Sequence, residues 1–576
     1  MPDSSLSGIL LTNMKILKLL LTHLIGLTLF TANACTLRID ISHQFAGKPL
    51  SLNSLKYKAT ETLSITRLSY LLSELAIQDQ EGTWQELPNQ FAFIDASSRR
   101  TSCTLKKVPS GSYKSLRFSL GVPKKENHGD PAQYPAAHPL NPNLNNLHWD
   151  WAGGYIFLAL EGQYRQPDKE VNGFVYHLAN DPNLSRVQLN AAFRVKNTTA
   201  LGLTFDLQKL LIHPRSLSFG KDGNSTHSHP GDPIASALVA NLQSSFTIQG
   251  ASYPPDEAPL AAVTPLYLPG KFTPFPFKMS RRFPMPLLPR DNPLLEERVS
   301  LGKKLFHDPG LSKDDSISCA SCHHQDKAFT DGLIFSKGIA QREGSRNSMP
   351  LFNLAWKSSF FWDGRARSLR DQVLQPIQDH REMASDLPTV IAHLEKAEHP
   401  AFEKAFGPGK VTAEKIALAL ENFLLTLTSY DSKFDRAMSG KAKLSPVEER
   451  GMELFFTEYE PRSQQYGADC FHCHGGANFS DHQFHNNGLA PSLKESAVLF
   501  STPSLRNLTL TAPYMHDGRF KTLEEVIAHY SGPMHRSKSL DPNLAKHPKP
   551  GLQLKNEDQA ALVAFLKTLT DPKYGR

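Results

Sequence analysis

The pattern C-x-x-C-H occurs twice in this chain of 576 residues, at positions 319–323 and 470–474. The spacing lets two thiols add across the two vinyl groups of one haem while the adjacent histidine becomes an axial ligand of the iron. A four-cysteine zinc site is the main alternative. It would leave both trailing histidines unexplained and would require two distant cysteine pairs to converge. We therefore predict two covalently bound c-type haems, held by Cys319, Cys322 and His323 and by Cys470, Cys473 and His474.

The amino terminus is typical of an export signal. Lys15 and Lys18 precede an apolar run, and residues 32–34 supply a small-x-small cleavage pattern. The run is too short for a membrane helix. We therefore predict a signal peptide over 1–34, no transmembrane helix after its cleavage, and a periplasmic location, which fits covalent haem attachment.

Two cysteines lie outside the haem motifs. Cys35 would be the first mature residue, where a lipid anchor is conceivable, but Ala32 stands where such signals favour leucine. We therefore expect cleavage without lipidation. A disulfide between Cys35 and Cys103 is the other use of these thiols in an oxidising compartment.

The length predicts several domains, and the residue pattern divides the chain. Alternating polar and apolar residues predict an antiparallel β-sandwich over 35–250. Frequent prolines predict a linker over 251–290. Apolar residues at helical spacing then predict two mostly α-helical cytochrome c-type haem lobes, over 291–445 and 446–576. The net charge of +7 is small for this length and gives no indication of a nucleic-acid partner.

The carboxy-terminal half resembles the bacterial di-haem cytochrome c peroxidases and the MauG-like enzymes. Beside the haem motifs, the resemblance rests on the segments at 301–306, 328–332, 361–365, 503–507 and 511–519. It implies a hydrogen-peroxide-dependent oxidoreductase. Conventional members draw electrons from a small cytochrome or cupredoxin and often form homodimers, so such a donor and a dimer are expectations here.

The resemblance assigns the surroundings of the first haem. Ile339 stands where conventional peroxidases have a histidine that caps the iron, and isoleucine cannot ligate, so we predict a five-coordinate haem 1. Glu382 matches the distal glutamate that moves a proton between the peroxide oxygens. Gln372 and Pro376 match positions that line the same pocket. His324 is the local competitor, but it would have to reach the opposite haem face.

For the second haem, Tyr530 matches the sixth ligand, which is tyrosine in MauG-like enzymes and methionine in conventional peroxidases. The competing ligands are Met515, Met534 and His529. Trp362 matches the tryptophan between the haems, although a buried aromatic is ordinarily a core residue. A structural calcium ion between the lobes is also implied, with ligands from Asn347, Thr511 and Pro513.

Residues 36–250 resemble the MbnP family of copper-binding periplasmic proteins. The resemblance rests on the early strand with His43, on the Trp-x-Trp-x-x-Gly-Tyr segment at 149–155 and on the Tyr-His-Leu segment at 176–178. It implies oxidation of a tryptophan, Trp149 or Trp151, to kynurenine. It also implies copper ligands, for which the candidates are His43, His177, His227 and His229. The ordinary alternative is a satisfied polar histidine and a core tryptophan.

Three functions follow. The first is a peroxide-driven enzyme that oxidises a tryptophan of its own amino-terminal domain and so matures a copper site. The second is a peroxidase that detoxifies hydrogen peroxide with electrons from a small redox protein. The third is a copper-binding or electron-relay protein without catalytic activity.

Overall fold

A computed structural model describes residues 34–58, 61–149, 153–167, 169–255, 263–490 and 499–575. The predicted signal peptide and Trp151 therefore lie outside the described residues, apart from Ala34. None of the helices within the described ranges is long and apolar enough to cross a membrane.

Most of the regular secondary structure of the amino-terminal region is β-strand. They are β1 Ala34–Phe45, β2 Lys48–Pro49, β3 Leu55–Lys58, β4 Glu61–Asp79, β5 Trp84–Glu86, β6 Ala92–Asp95, β7 Ser102–Pro109, β8 Gly111–Leu120, β9 His148–Trp149, β10 Gly154–Arg165, β11 Asn172–Ala179, β12 Ser185–Val195, β13 Thr198–Asp206, β14 Ser225–Thr226 and β15 Phe246–Ser252. The later part of the chain adds β16 Tyr459–Glu460, β17 Gln465–Tyr466, β18 Phe484–His485 and β19 Phe500–Ser501.

The strands form two sheets that pack face to face. The larger sheet has the order β12–β8–β4–β10–β11–β14, with β3, β5 and β6 along β4 and β9 beside β10. The smaller has the order β15–β13–β1–β2, with β7 also paired to β1. Aromatic rings join them: Tyr70 lies 5.4 Å from Phe205, and Phe118 lies 5.2 Å from Phe246. The alternating pattern produces this arrangement because it gives each sheet one apolar face.

The predicted fold class, a β-sandwich followed by helical haem lobes, is confirmed. The sandwich is not wholly antiparallel, however, because β1 pairs in parallel with β13 and β11 pairs in parallel with β14. Parallel neighbours need a long crossover, and most of the domain lies between β1 and β13.

The register of β1 against β7 separates the two cysteines outside the haem motifs. Cys103 lies opposite Ile39, whereas Cys35 lies opposite Val108. Four residues along a strand span about 13 Å, and a disulfide requires Cα atoms within about 7 Å. The alternative of a Cys35–Cys103 disulfide is therefore wrong for this fold.

The helices are few in the β domain and form most of the regular structure of the two haem lobes. The helices of the β domain are α1 Lys124–Asn127, α2 Pro142–Asn145, α3 Leu207–Ile212 and α4 Pro233–Ser245. The first haem lobe contains α5 Glu296–Phe306, α6 Leu369–Val373, α7 Gln375–Gln378, α8 Leu387–Ala397, α9 His399–Phe406, α10 Ala413–Leu425 and α11 Lys433–Met438. The second contains α12 Pro446–Phe456, α13 Phe471–His474, α14 Leu523–Ser531, α15 Pro542–Ala545 and α16 Asn556–Lys567.

Each haem lobe contains one helix pair in very close contact. A Cβ atom on Gly302 of α5 would lie 2.0 Å from the carbonyl oxygen of Ala419 in α10. A Cβ atom on Gly451 of α12 would lie 1.9 Å from the carbonyl oxygen of Ala561 in α16. Glycine is therefore required at both positions for the two backbones to approach. The same close helix contact at a glycine therefore occurs in both lobes.

The proline-rich segment is held against the haem lobes. Phe283 is buried, with its ring 5.1 Å from that of Trp356 and beneath the guanidinium of Arg506. Trp356 also donates its indole N–H to the carbonyl of Pro284 at 2.8 Å. These contacts fix the end of the segment that enters the first lobe.

The β domain is docked on the second haem lobe, and the two share one continuous apolar core. Buried Gln163 of β10 donates to the carbonyl of Leu540 at 2.8 Å, and Arg462 donates to the carbonyl of Asp222 at 2.6 Å. At Gly173, a Cβ atom would lie 2.1 Å from the carbonyl oxygen of Pro542. The hairpin of β10 and β11 therefore lies directly against the start of α15.

Candidate functional site

The two C-x-x-C-H motifs share one local structure. The imidazole Nδ1 of His323 lies 2.7 Å from the carbonyl oxygen of Phe329, and Nδ1 of His474 lies 3.1 Å from that of Phe479. Both phenylalanines have a left-handed backbone, with φ of 62° and 51°. A carbonyl bonded to Nδ1 fixes the ring orientation and presents Nε2 to a metal. The thiols and imidazoles thus fit two covalently bound haems.

Ile339 and Glu382 lie side by side next to the first motif. The amide of Ile339 donates to the carbonyl of Glu382 at 2.9 Å, and the Ile339 side chain is buried. Gly338 permits this contact, because a Cβ atom there would lie 2.0 Å from the carbonyl oxygen of Arg381. The competitor His324 is exposed. A side chain without a donor atom therefore lies beside the glutamate.

The carboxyl of Glu382 has a pKa close to neutrality. Burial raises its pKa to about 7, and the neighbouring charge of Asp379 acts in the same direction. Burial also raises the pKa of the Cys319 thiol to about 12 and of the Cys322 thiol to about 11, with a contribution from the charge of Glu382. That mutual influence places Glu382 close to the first haem attachment site.

Gln372 and Pro376 lie on the two short helices before Glu382. Gln372 is in α6 and Pro376 in α7, and the carbonyl of Pro376 accepts a hydrogen bond from the amide of Met383 at 3.2 Å. Pro376 is thereby joined to the Glu382 turn, whereas no described hydrogen bond links the Gln372 side chain to it. Both remain predicted pocket residues.

Tyr530 on α14 lies beside the second motif. Burial raises the pKa of its phenol to about 12, and the Cys473 and Cys470 thiols act in the same direction. Asn487 Nδ2 lies 3.4 Å from the Tyr530 hydroxyl and 3.5 Å from Met515 Sδ. Tyrosine and Met515 thus border the same side of the site.

The other two candidate ligands of haem 2, His529 and Met534, contact other groups. The Nε2 atom of His529 lies 3.0 Å from the carbonyl oxygen of Asn487, and Met534 is buried against Gly488. Tyr530 remains the predicted sixth ligand of haem 2, with Met515 the nearest alternative.

Trp362 lies at the junction of the two haem lobes. Its indole N–H donates to the carbonyl of Asn347 at 2.8 Å, and its carbonyl accepts from the amide of Ser501 in the second lobe at 2.8 Å. The ring is buried and lies 6.5 Å from that of His516. This position fits a side chain between two haems.

Asn347, one of the predicted calcium ligands, lies in the same region. The amide of Asn347 donates to the carbonyl of His516 at 2.9 Å, which places Asn347 beside the loop that carries Thr511 and Pro513. Side-chain and backbone oxygens of this kind suit a hard cation. Calcium remains a prediction.

Two candidate copper ligands come together at the surface where the β domain meets the second lobe. Nδ1 of His177 lies 3.1 Å from Nε2 of His227, and Nε2 of His177 lies 2.9 Å from Glu161 Oε1. The ring of Trp149 lies 5.6 Å from that of His227. Both histidines are almost completely buried.

Sequence reasoning missed the residue that faces these histidines, His472. It lies inside the second C-x-x-C-H motif, and its ring is 5.0 Å from that of His227 and 5.6 Å from that of His177. Its Nε2 atom lies 2.9 Å from Glu458 Oε2 and 2.9 Å from Asp469 Oδ1. A histidine at a variable position of the motif was the only available signal, because its partners His177 and His227 lie 295 and 245 residues earlier in the chain.

The cluster is rich in buried charge. Burial alone would raise the pKa of Glu161, but Arg67 at 2.9 Å holds it well below its usual range. Burial lowers the pKa of His177 and of His227. At His472 burial acts in the same way, but the carboxylates of Asp469 and Glu458 prevail and raise its pKa to about 9.

The structure does not bring His43 or His229 into the cluster. His43 contacts Tyr70, with Nε2 2.9 Å from the phenol oxygen, in the core between the sheets. Tyr70 and Ser69 point to opposite faces of β4, and Ser69 and His177 both pair with Ala159. The inclusion of His43 with His177 in one ligand set is therefore wrong. Nε2 of His229 is buried without a described hydrogen-bond partner.

Three family models match successive parts of the chain. The family model for di-haem cytochrome c peroxidase matches residues 296–443, that for cytochrome c matches 450–570 and that for MbnP matches 34–228. The methylamine utilization protein MauG of Methylophilus methylotrophus is 34% identical over 307 residues, which are 51% of this chain and 87% of that protein. The chain belongs to the di-haem cytochrome c peroxidase family.

Two further proteins are similar to the carboxy-terminal half of this di-haem peroxidase. The cytochrome c551 peroxidase of Nitrosomonas europaea is 32% identical over 294 residues, 48% of this chain and 80% of that protein. The crystal structure of a MauG-like protein associated with microbial copper homeostasis is 30% identical, covers 52% of this chain and 98% of that one, and has a TM-score of 0.46. The protein is a hydrogen-peroxide-dependent oxidoreductase with two c-type haems and an amino-terminal MbnP domain.

Proposed function

We propose that this di-haem peroxidase uses hydrogen peroxide to oxidise Trp149 of its own MbnP domain to kynurenine. The observation that carries the proposal is the contact between the domains. The ring of His227 lies between Trp149 and the second haem motif, 5.6 Å from Trp149 and 5.0 Å from His472. Trp151 belongs to the same proposal as the alternative target.

The bound haems supply the iron that reacts with peroxide and accepts and passes on its oxidising equivalents. Glu382 takes a proton from one peroxide oxygen and returns it to the other, a role suited to a carboxyl with a pKa of about 7. Ile339 has no donor atom, so it would not supply a ligand to the iron of haem 1. Trp362 provides an aromatic group between the two sites.

The overall reaction balances when two peroxide molecules are consumed. Each accepts two electrons and two protons and becomes two water molecules. The indole ring of Trp149 gives up the four electrons and four protons and takes its two oxygen atoms from water. The ring opens between the two carbons that receive oxygen, which gives N-formylkynurenine. Hydrolysis then releases formate and leaves kynurenine.

The partners and the location belong to the same proposal. We place the protein in the periplasm, with peroxide as the oxidant and the MbnP domain as the substrate. The modified domain would bind copper. Nδ1 of His177 and Nε2 of His227 face each other at 3.1 Å in a buried place, so these two imidazole donors fit a copper ion.

Mass spectrometry of the tryptic peptide that carries Trp149 and Trp151 tests the proposal. After peroxide treatment of the haem-loaded protein, fragmentation should locate the kynurenine mass at Trp149, and Trp362→Phe should abolish it. Trp356→Phe is the matched control, because Trp356 is a buried tryptophan of the same lobe that packs on Phe283.

An unmodified peptide in the wild-type protein would refute the proposal, as would equal modification in the Trp362 variant. Sustained peroxide turnover with a reduced small cytochrome or cupredoxin, without change at Trp149, would instead support a detoxifying peroxidase.

A further inference from the structure

We propose that His472 and Glu458 of the second haem lobe complete a metal site with His177 and His227 of the MbnP domain. One metal ion would then be held by two residues from each side of the domain contact. This deepens the copper part of the proposed function, and its ligand class is a late first-row transition metal ion such as Cu(II). The haem attachment motif would itself supply one ligand.

The first support is the spacing of the ligand atoms. Two imidazole nitrogens on one ion, each about 2.0–2.1 Å from it, lie about 2.9–3.4 Å apart at bond angles of about 90–110°. His177 Nδ1 and His227 Nε2 are 3.1 Å apart. One nitrogen from each of His177, His227 and His472 lies within 4.8 Å of the others, and ligands on opposite sides of an ion lie about 4 Å apart. A small side-chain adjustment brings His472 into reach.

The second support is the carboxylate of Glu458. Its Oε2 atom lies 3.1 Å from His227 Nε2 and 2.9 Å from His472 Nε2. It therefore joins the histidines of the two domains, as a fourth ligand of a shared ion would. An imidazole and carboxylate set of this kind suits copper better than calcium or magnesium.

The third support is incomplete hydrogen bonding in a fully buried place. Nε2 of His177 faces Glu161, which favours the proton on that nitrogen and leaves Nδ1 as an acceptor. His227 must then donate through Nε2, yet Glu458 competes for the same proton. A metal ion between the rings would satisfy the opposed nitrogens.

The test adds one equivalent of Cu(II) to the haem-loaded protein, before and after peroxide treatment, and counts coordinated imidazoles in each form by pulsed electron paramagnetic resonance. The expected count is three, with one copper per chain by elemental analysis. A count of two would confine the site to the MbnP domain and overturn the proposal. Absence of bound copper would show that the cluster is only an ion-pair network. The wild-type measurement needs no variant to fold.

Variants identify the ligands. His472→Gln and Glu458→Gln should each weaken copper binding by at least about tenfold, and His472→Gln should lower the imidazole count by one. His547→Gln is the matched control, because His547 is buried in the same network, 2.8 Å from Asp469 Oδ2, but is not among the clustered nitrogens. Equal affinity of wild type and the His472 and Glu458 variants would contradict the site.

The haem absorbance of each variant shows whether both haems are attached. Failure of this test is distinguishable from failure of the proposed oxidation. Kynurenine at Trp149 without a three-imidazole copper site would leave the oxidation standing, and the reverse result would leave the metal site standing.

Discussion

At the scale of single residues, the environment of Glu382 decides what its carboxyl can do. An exposed glutamate would be ionised throughout the neutral range, but burial raises the pKa of this one to about 7. Both protonation states are then available at neutral pH, which is the condition for a group that first accepts and then returns a proton. Ile339 beside it supplies bulk without a ligand atom.

Glu382→Gln should slow the reaction with hydrogen peroxide by about 10²- to 10⁴-fold, because the amide cannot accept the proton. The wild-type rate should rise with pH through about 7 as the carboxylate forms, and the rate of the variant should not. Stopped-flow absorbance across this range measures both. Glu343→Gln, at an exposed glutamate of the same lobe, should behave as wild type. A pH dependence that persists in the Glu382 variant would assign it to another group.

The same pKa also predicts a change in stability. The folded state holds its proton up to about pH 7, whereas an exposed glutamate loses it near 4.5. Stability therefore falls as pH rises through this window. Above pH 7, the free energy of unfolding of Glu382→Gln should exceed that of wild type by up to about 3 kcal/mol, and this difference should vanish at pH 4. Denaturant unfolding at the two pH values measures it.

At the scale of elements, the two haem lobes rely on close helix pairs that meet at a glycine. Gly302 and Gly451 have the same surroundings, a carbonyl oxygen of the opposing helix and a phenylalanine Cβ one turn further on. The loop after each haem motif is likewise repeated, with a left-handed phenylalanine that holds the axial histidine. These repeated contacts are local in sequence or periodic along helices.

Gly302→Ala and Gly451→Ala should both destabilise the protein. Alanine gains up to about 1 kcal/mol in helix propensity, but the added Cβ would lie about 2 Å from a backbone oxygen. Forcing the helices apart costs about 1–3 kcal/mol, so the net change should be a loss. Denaturant unfolding measures it. Gly344→Ala, where the nearest atom is 3.6 Å away, should be close to neutral, and equal stability of all three variants would contradict this account.

The sequence predicted the features that depend on residue spacing along the chain. The haem motifs, the β-sandwich and the helical lobes follow from short-range patterns, and the neighbourhood of Ile339 and Glu382 follows from the family resemblance. The position of His43 depends on which sheet face each strand presents, which only the register of β4 and β10 determines. His472 was missed because its neighbours come from another domain.

At the scale of the whole molecule, the docking of the MbnP domain on the second haem lobe brings Trp149 close to the second haem motif. The hairpin of β10 and β11 lies against α15, and the apolar core continues from the sandwich into the second haem lobe. The contact includes buried hydrogen bonds such as that from Gln163 to Leu540. A contact of this kind holds Trp149 and the haem motif in a fixed relation.

Gly173→Leu should disturb this docking, because a Cβ atom at that position would lie 2.1 Å from the carbonyl oxygen of Pro542. We expect less kynurenine at Trp149, while the first reaction with peroxide at the distant Glu382 site keeps its wild-type rate. Peptide mass spectrometry and stopped-flow absorbance measure the two. Gly270→Leu, with no atom within 4 Å of the added Cβ, is the matched control. An unchanged yield would show that the oxidation does not depend on this contact.

The continuous core has a consequence for stoichiometry. A substrate that is folded into its own catalyst cannot diffuse away, so no product-release step would follow the oxidation of Trp149. Each molecule would then consume a fixed amount of oxidant and stop, and the progress curve would reach a plateau set by the amount of protein.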